Sequence, residues 1–419
     1  MPGLEQFSRR HVLAALGLGA VGVAGVGAAV ALDDEDSGGG SRGSAGEPRT
    51  IEVYGGADSD DARAAVLQVW ARKPRVAERG LSASYNAVAS RSSDQFAKML
   101  NLLREDPGAA DLLVVDAEYL PALIEAGQIE PFPDRGRDWL LGDLGCVANV
   151  ADRCLWEDEL YAVPLNTDVP MLAFDDSRIA DRDRPALRDL GQRQGAEFWT
   201  TALQLAQRST GEQPTRRLLL QNGEYEGFTA CLTELVAAFG PPGGAFPAGA
   251  ELDARLAEIA GVFGRDPFEL AGDGDEDATL TALQKREAVA ARLWPSQCHS
   301  LTAATPGRES GAPTYTFVPI PGGVLGGQVI AAGRQSPVRE QAQELAVHLA
   351  EAASQVQLHY NGGYVPTLAE LYGDEKLRDA LYGVGAEQIG RCVRRPVRTD
   401  YLTWSDEFRE RARTVLLGG

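Results

Sequence analysis

Asp111-Leu112-Leu113-Val114-Val115-Asp116-Ala117-Glu118-Tyr119-Leu120-Pro121-Ala122-Leu123-Ile124-Glu125-Ala126-Gly127 is the stretch on which the reading of this chain turns. The apolar run behind Asp111 is short and does not alternate, which is how a buried strand reads. A helix is expected from Glu118 to Ala126, closed by Gly127, a residue that accepts the left-handed conformation at a helix end. The same unit stands upstream. Ile51-Glu52-Val53-Tyr54 reads as a strand ended by Gly55-Gly56. From Asp60 to Lys73, Ala62, Ala65, Val66, Val69 and Trp70 recur at helical spacing, with Ser59 placed as cap. A strand near 81–88 and a helix near 93–104 complete an alternation that predicts a parallel α/β sheet.

Downstream the rhythm restarts. Residues 160–164, 171–174, 217–220 and 328–332 read as strands, and 197–208, 224–239, 252–263 and 279–293 as helices. Ser336-Pro337 is expected to cap and open another helix, since proline at the first turn gives up no hydrogen bond. Two α/β lobes fit this order better than one enlarged sheet.

Residues 1–31 read as an address. Ser8-Arg9-Arg10-His11-Val12-Leu13 is a twin-arginine pattern, followed by an uncharged Gly/Ala/Val/Leu run to Leu32. Such a segment resembles a twin-arginine export signal, which passes folded cargo. Ala29-Val30-Ala31 fits a cleavage site, and the many glycines favour cleavage over an uncleaved membrane anchor. Residues 32–49 form an acidic, glycine-rich flexible linker. Gly17-Leu18-Gly19-Ala20-Val21-Gly22 matches a dinucleotide fingerprint, but inside an export signal it lacks the strand and helix that give the motif its function.

The 419 residues carry a formal net charge of −20, so long-range repulsion argues against nucleic acid or an anionic bilayer as partner. Five cysteines leave at least one unpaired, and the spacing of Cys146 and Cys154 suits a local disulfide in an oxidising compartment. No metal or other cofactor is expected. There is no CxxC, and Asp273-Gly274-Asp275-Glu276-Asp277 lacks the glycine and glutamate of a calcium loop. His348 and His359 could share a helix face but have no third ligand. Phosphate-loop, zinc-protease and hydrolase motifs are absent, so the chain does not read as an enzyme.

Several further motifs stand in a telling order. They are Tyr161-Ala162-Val163-Pro164-Leu165-Asn166-Thr167-Asp168, Asn222-Gly223-Glu224-Tyr225-Glu226-Gly227-Phe228, Leu293-Trp294-Pro295, Pro319-Ile320-Pro321-Gly322-Gly323, Leu325-Gly326-Gly327-Gln328, Gly362-Gly363-Tyr364-Val365-Pro366-Thr367 and Arg395-Pro396-Val397-Arg398-Thr399-Asp400-Tyr401. With the opening segment, they resemble the extracellular solute-binding proteins of ABC importers that handle sugars, from Ile51 to the C-terminus. The resemblance implies an α/β, two-lobed, periplasmic-binding-protein-like fold (type II) joined by crossing hinge strands. One lobe would hold 50–166 and 328–368, the other 167–327 and 369–419. It further implies an exported monomer that closes on a small solute, a carbohydrate or oligosaccharide, and delivers it to an ABC permease. No cysteine precedes Cys146 to carry a lipid anchor, so a sensor or scaffold with the same fold is the alternative.

By position in such a fold, the cleft loops would present Asp58, Ser59, Asp116, Tyr119, Asn166, Asp168, Glu224, Tyr225, Trp294, Gln328 and Tyr364. Carboxylates and amides bond hydroxyl groups, and Tyr and Trp faces pack on the apolar side of a sugar ring. Gln328 replaces the aromatic that often follows the double glycine in the family.

Overall fold

The computed structural model describes residues 49–57, 60–210, 216–268, 274–303 and 314–418. The segment expected to be an export signal, nearly all of the expected linker, and Asp58 and Ser59 lie outside them. The first lobe is built on a six-stranded sheet in the order β2-β1-β3-β12-β4, with β7 also on β12. Its strands are β1 (Arg49–Gly55), β2 (Leu81–Ala87), β3 (Leu112–Asp116), β4 (Ile129–Glu130), β7 (Ala162–Pro164) and β12 (Gln328–Gly333). A small hairpin of β5 (Leu155–Trp156) and β6 (Glu159–Leu160) stands apart. Helices α1 (Asp60–Ala71) and α2 (Ser92–Glu105) cover this sheet, burying Val66, Leu67 and Trp70, and Phe96, Met99 and Leu103.

The second lobe has a four-stranded sheet, β11-β8-β10-β9, from β8 (Met171–Asp175), β9 (Arg216–Leu219), β10 (Ala288–Leu293) and β11 (Tyr315–Pro319). Around it lie α3 (Gly195–Gln207), α4 (Glu226–Ala238), α5 (Gly249–Phe263), α6 (Glu276–Gln284) and α7 (Pro295–Ala303). Helices α8 (Arg339–Ala350) and α9 (Ala352–Gly362) return to the first lobe, where α8 buries Leu345 and Leu349. The C-terminal helix α10 (Tyr401–Leu417) touches both cores, Tyr401 joining the first and Phe408, Ala412 and Leu416 the second.

Neither sheet is purely parallel. β1 pairs in parallel with β2 and β3, but β12 runs antiparallel to β3, β4 and β7. In the second sheet only β9 and β10 are parallel. The expected helix over 279–293 is a helix and a strand. Its stop is Arg286 in the left-handed conformation (φ 61°), with the Glu287 N–H closing onto the Ala282 carbonyl at 2.8 Å. The strand read over 160–164 divides at Tyr161 between β6 and β7. Ser336 does not cap a helix. Its hydroxyl is 2.5 Å from Asp111 and α8 begins at Arg339.

Cys146 and Cys154 form no disulfide; all five cysteines are free and buried. The Cys154 thiol faces the Val150 carbonyl at 3.9 Å, while Cys146 lies against Thr367, so the two side chains serve different neighbours. His348 and His359 fall on separate helices, the first beside Glu351 at 2.8 Å and the second beside the Tyr364 carbonyl at 3.0 Å.

The chain passes between the lobes after β7, before β12 and after α9. Isolated bridges Thr167–Val365 and Asp168–Gly326 join these three passes into one narrow waist. The Arg153 guanidinium reinforces it, bonding the Gly326 carbonyl at 2.6 Å.

Candidate functional site

A cavity of about 320 Å³ opens between the lobes above the waist. The first lobe contributes the β2–α2 loop and Asp116, the last residue of β3; the second contributes the N-termini of α4 and α6 and Trp294, which follows β10. The ends of strands in open α/β sheets are where backbone and helix starts converge without filling space. Gly326 and Gly327 allow the waist to approach the site. A Cβ on Gly326 would lie 2.8 Å from the Trp294 ring, and Gly327 holds φ 108°, a conformation L side chains rarely adopt.

One wall is aromatic. The Arg292 guanidinium sits 3.9 Å from the Trp294 ring centroid, and the indole N–H donates to Glu276 Oε1 at 3.3 Å. Arg292 is itself bonded to Glu234 at 2.9 Å and Gln221 at 3.0 Å, so the indole rests on a fixed cation. Tyr225 and Tyr364 also line the cavity. Tyr225, in extended backbone before α4, lies beside Glu276, and burial followed by that carboxylate holds its phenol well above the usual range.

The charged lining is mostly acidic. Ser92 donates to Asp116 at 2.5 Å, and Gln328 Nε2 reaches it at 3.5 Å. Burial pushes the Asp116 carboxyl above its ordinary range, against the pull of Arg395. Burial likewise raises Glu276 to about 6. Asn166, 3% exposed, donates its amide N–H to Asp168 at 3.0 Å, while its buried Oδ1 has no hydrogen-bond partner among the described residues. Gln328 Oε1 accepts from Arg63 at 2.5 Å, which orients the side chain at the cavity wall. At the floor of the cavity, Arg395 bridges Glu118 of the first lobe (2.7 Å) and Glu226 of the second (2.5 Å). Tyr401 and Ser405 complete the Glu226 carboxylate at 2.5 and 3.1 Å.

The model of a bacterial extracellular solute-binding family matches residues 83–380. The chain belongs to that family. No curated protein sequence matches this solute-binding protein significantly. Among solved structures it is similar to the maltose-bound MalE3 of T. maritima, with TM-score 0.68 and 18% identity over 88% of this chain and 95% of that one. It is also similar to the GacH receptor of Streptomyces glaucescens, solved unliganded and with acarbose, with TM-score 0.64 and 16% identity over 88% and 93%. Thiaminase I from Bacillus thiaminolyticus shares the fold as well, with TM-score 0.62 and 16% identity over 88% and 100%. At such identities these likenesses establish the two-lobed architecture.

Of the residues named from sequence, Asp116, Asn166, Asp168, Tyr225, Trp294, Gln328 and Tyr364 line the cavity of this solute-binding protein. Tyr119 and Glu224 do not. Tyr119 is 1% exposed, stacked on Phe96 at 4.4 Å and edge-on to Tyr401 at 5.8 Å, so it belongs to the core. Glu224 precedes the helix by two residues and turns outward to pair with Arg413 at 2.8 Å; Glu226 is the glutamate that reaches the site. Sequence reasoning also missed Arg91, Ser92, Asp275, Glu276 and Arg395. Asp275 caps α6, accepting from the Ala278 N–H at 3.0 Å, and pairs with Arg91 at 2.8 Å. Among the described residues no cluster of three metal-binding side chains occurs, and no helix is long and apolar enough to cross a membrane.

Proposed function

We propose that this exported solute-binding protein captures a carbohydrate between its lobes and presents it to an ABC importer permease. The observation that carries the reading is Trp294, an aromatic platform backed by Arg292, facing a cleft with carboxylate and amide oxygens from both lobes. A sugar ring has an apolar face for such a platform and hydroxyl hydrogens for Asp116, Asn166, Asp168 and Glu276. Tyr225, Tyr364 and Gln328 shape the remaining wall. The structures solved with maltose and with acarbose support this ligand class. The protein acts by capture rather than turnover, and its twin-arginine segment directs the folded domain out of the cytoplasm.

Thermal unfolding of the purified full chain against mono- and oligosaccharides, amino acids and polyamines tests the reading. A sugar at one hundred times its dissociation constant adds about 2.7 kcal/mol of stability, a clear rise in midpoint. The bound sugar is expected back unchanged. A shift confined to amino acids, or conversion of the sugar, overturns the proposal.

A further inference from the structure

The charge lining the cavity is lopsided in a way that a neutral sugar does not explain. Among the described residues, its cationic side chains are Arg91 and Arg395. Arg91 is held by Asp275 at 2.8 Å, and Arg395 lies between Glu118 and Glu226. Asp116 and Glu276, one from each lobe, line the same cavity and form no ion pair among the described residues. Asp277 lies beside them at the start of α6. Separately, the Asn166 Oδ1 is a buried acceptor with no hydrogen-bond partner among the described residues, at the waist side of the same cavity.

Closing the lobes on a neutral polyol takes two carboxyl groups further from water. It adds only hydroxyl donors, with no counter-charge, to the hydrogen bonds they already accept from Ser92, Gln328 and Trp294. Buried charges of this kind are costly unless a counter-charge comes with the ligand. An ammonium group supplies that charge and, in its N–H hydrogens, a donor for Asn166. Resting on the carbohydrate reading above, we infer that the solute is an amine-bearing saccharide, its ammonium seated between Asp116 and Glu276 with the ring against Trp294. The raised pKa of Glu276, about 6, matches this arrangement, because burial disfavours its charged form and a neighbouring cation favours it.

Calorimetric titration of the full chain compares glucosamine oligomers, their N-acetylated counterparts, neutral glucose oligomers of equal length, and spermidine. The amine-bearing oligomer is expected to bind about tenfold or more tightly than either saccharide without a charge, with an affinity that falls as salt rises. In Glu276→Gln and Asp116→Asn, folded by circular dichroism, the preference of amine over acetamide shrinks about tenfold. Equal or tighter binding of the neutral oligomer overturns this inference and leaves the carbohydrate reading standing. Binding of spermidine with no saccharide overturns the carbohydrate reading and the saccharide part of the inference. No binding by any of the four overturns both.

Discussion

Trp294 and Tyr119 are both large aromatics at the ends of strands, and their surroundings give them opposite duties. Trp294 faces the cavity on a cationic support; Tyr119 is sealed between Phe96 and Tyr401. Trp294→Ala is expected to weaken solute binding by on the order of 1–3 kcal/mol with a small loss of stability. Tyr119→Phe leaves affinity unchanged, whereas Tyr119→Ala costs about 3–5 kcal/mol of stability through the cavity it leaves. Titration calorimetry and urea unfolding on the three variants separate these outcomes. Glu276 makes a second prediction at this scale. Its folded pKa of about 6 stands above the ordinary 4.5, so the folded protein binds extra protons between those values. The stabilisation is fully present below pH 4.5 and is lost as pH rises through about 6. Ligand-free Glu276→Gln is therefore expected to exceed the wild type in stability above pH 6 by on the order of 1–2 kcal/mol, and thermal melts between pH 4 and 8 measure it.

At the scale of elements, strand β10 and helix α4 are fastened by Arg292 and Glu234, neither more than 1% exposed. Removing one partner leaves a charge uncompensated in the core, so Glu234→Ala is expected to cost about 3–5 kcal/mol in urea unfolding. The same strand shows where periodicity stops being informative. β1, α1, α2, β3 and β12 were legible because their apolar spacing, or a bounded apolar run, is set by local burial. Ala288-Val289-Ala290-Ala291 has neither period, and its separation from α6 rests on Arg286 in a conformation that glycine usually announces. Strand direction was equally silent, since β12 meets β3 across some two hundred residues and nothing local marks it antiparallel. The site divides the same way. The motifs carried Asp116, Asn166, Trp294 and Gln328 to the cleft, yet Glu224 and Glu226 differ only by where the first turn of α4 begins. Arg91, Asp275 and Arg395 act through partners distant in the chain, a relation that one sequence does not display.

For the whole molecule, Arg91 and Asp275 pair directly across the mouth of the cleft, while Arg395 joins the lobes beneath it. The upper pair is partly exposed and so contributes about 0–1 kcal/mol to closure; the lower, buried one belongs to the waist. Arg91→Ala is expected to enlarge the radius of gyration of the ligand-free protein in small-angle scattering, with saturating solute restoring the wild-type value. Apparent affinity falls about two- to fivefold, because a smaller fraction of molecules is already closed. An unchanged radius would show that the waist alone sets the lobe angle. The five buried thiols give the molecule a further property. None is offered to a maleimide while the fold is intact, so label incorporation acts as a stopwatch for excursions out of the native state. With refolding faster than labelling, the rate follows the unfolded fraction, which a solute at one hundred times its dissociation constant cuts about a hundredfold. The chain thus carries its own untagged reporter of ligand capture, read by mass.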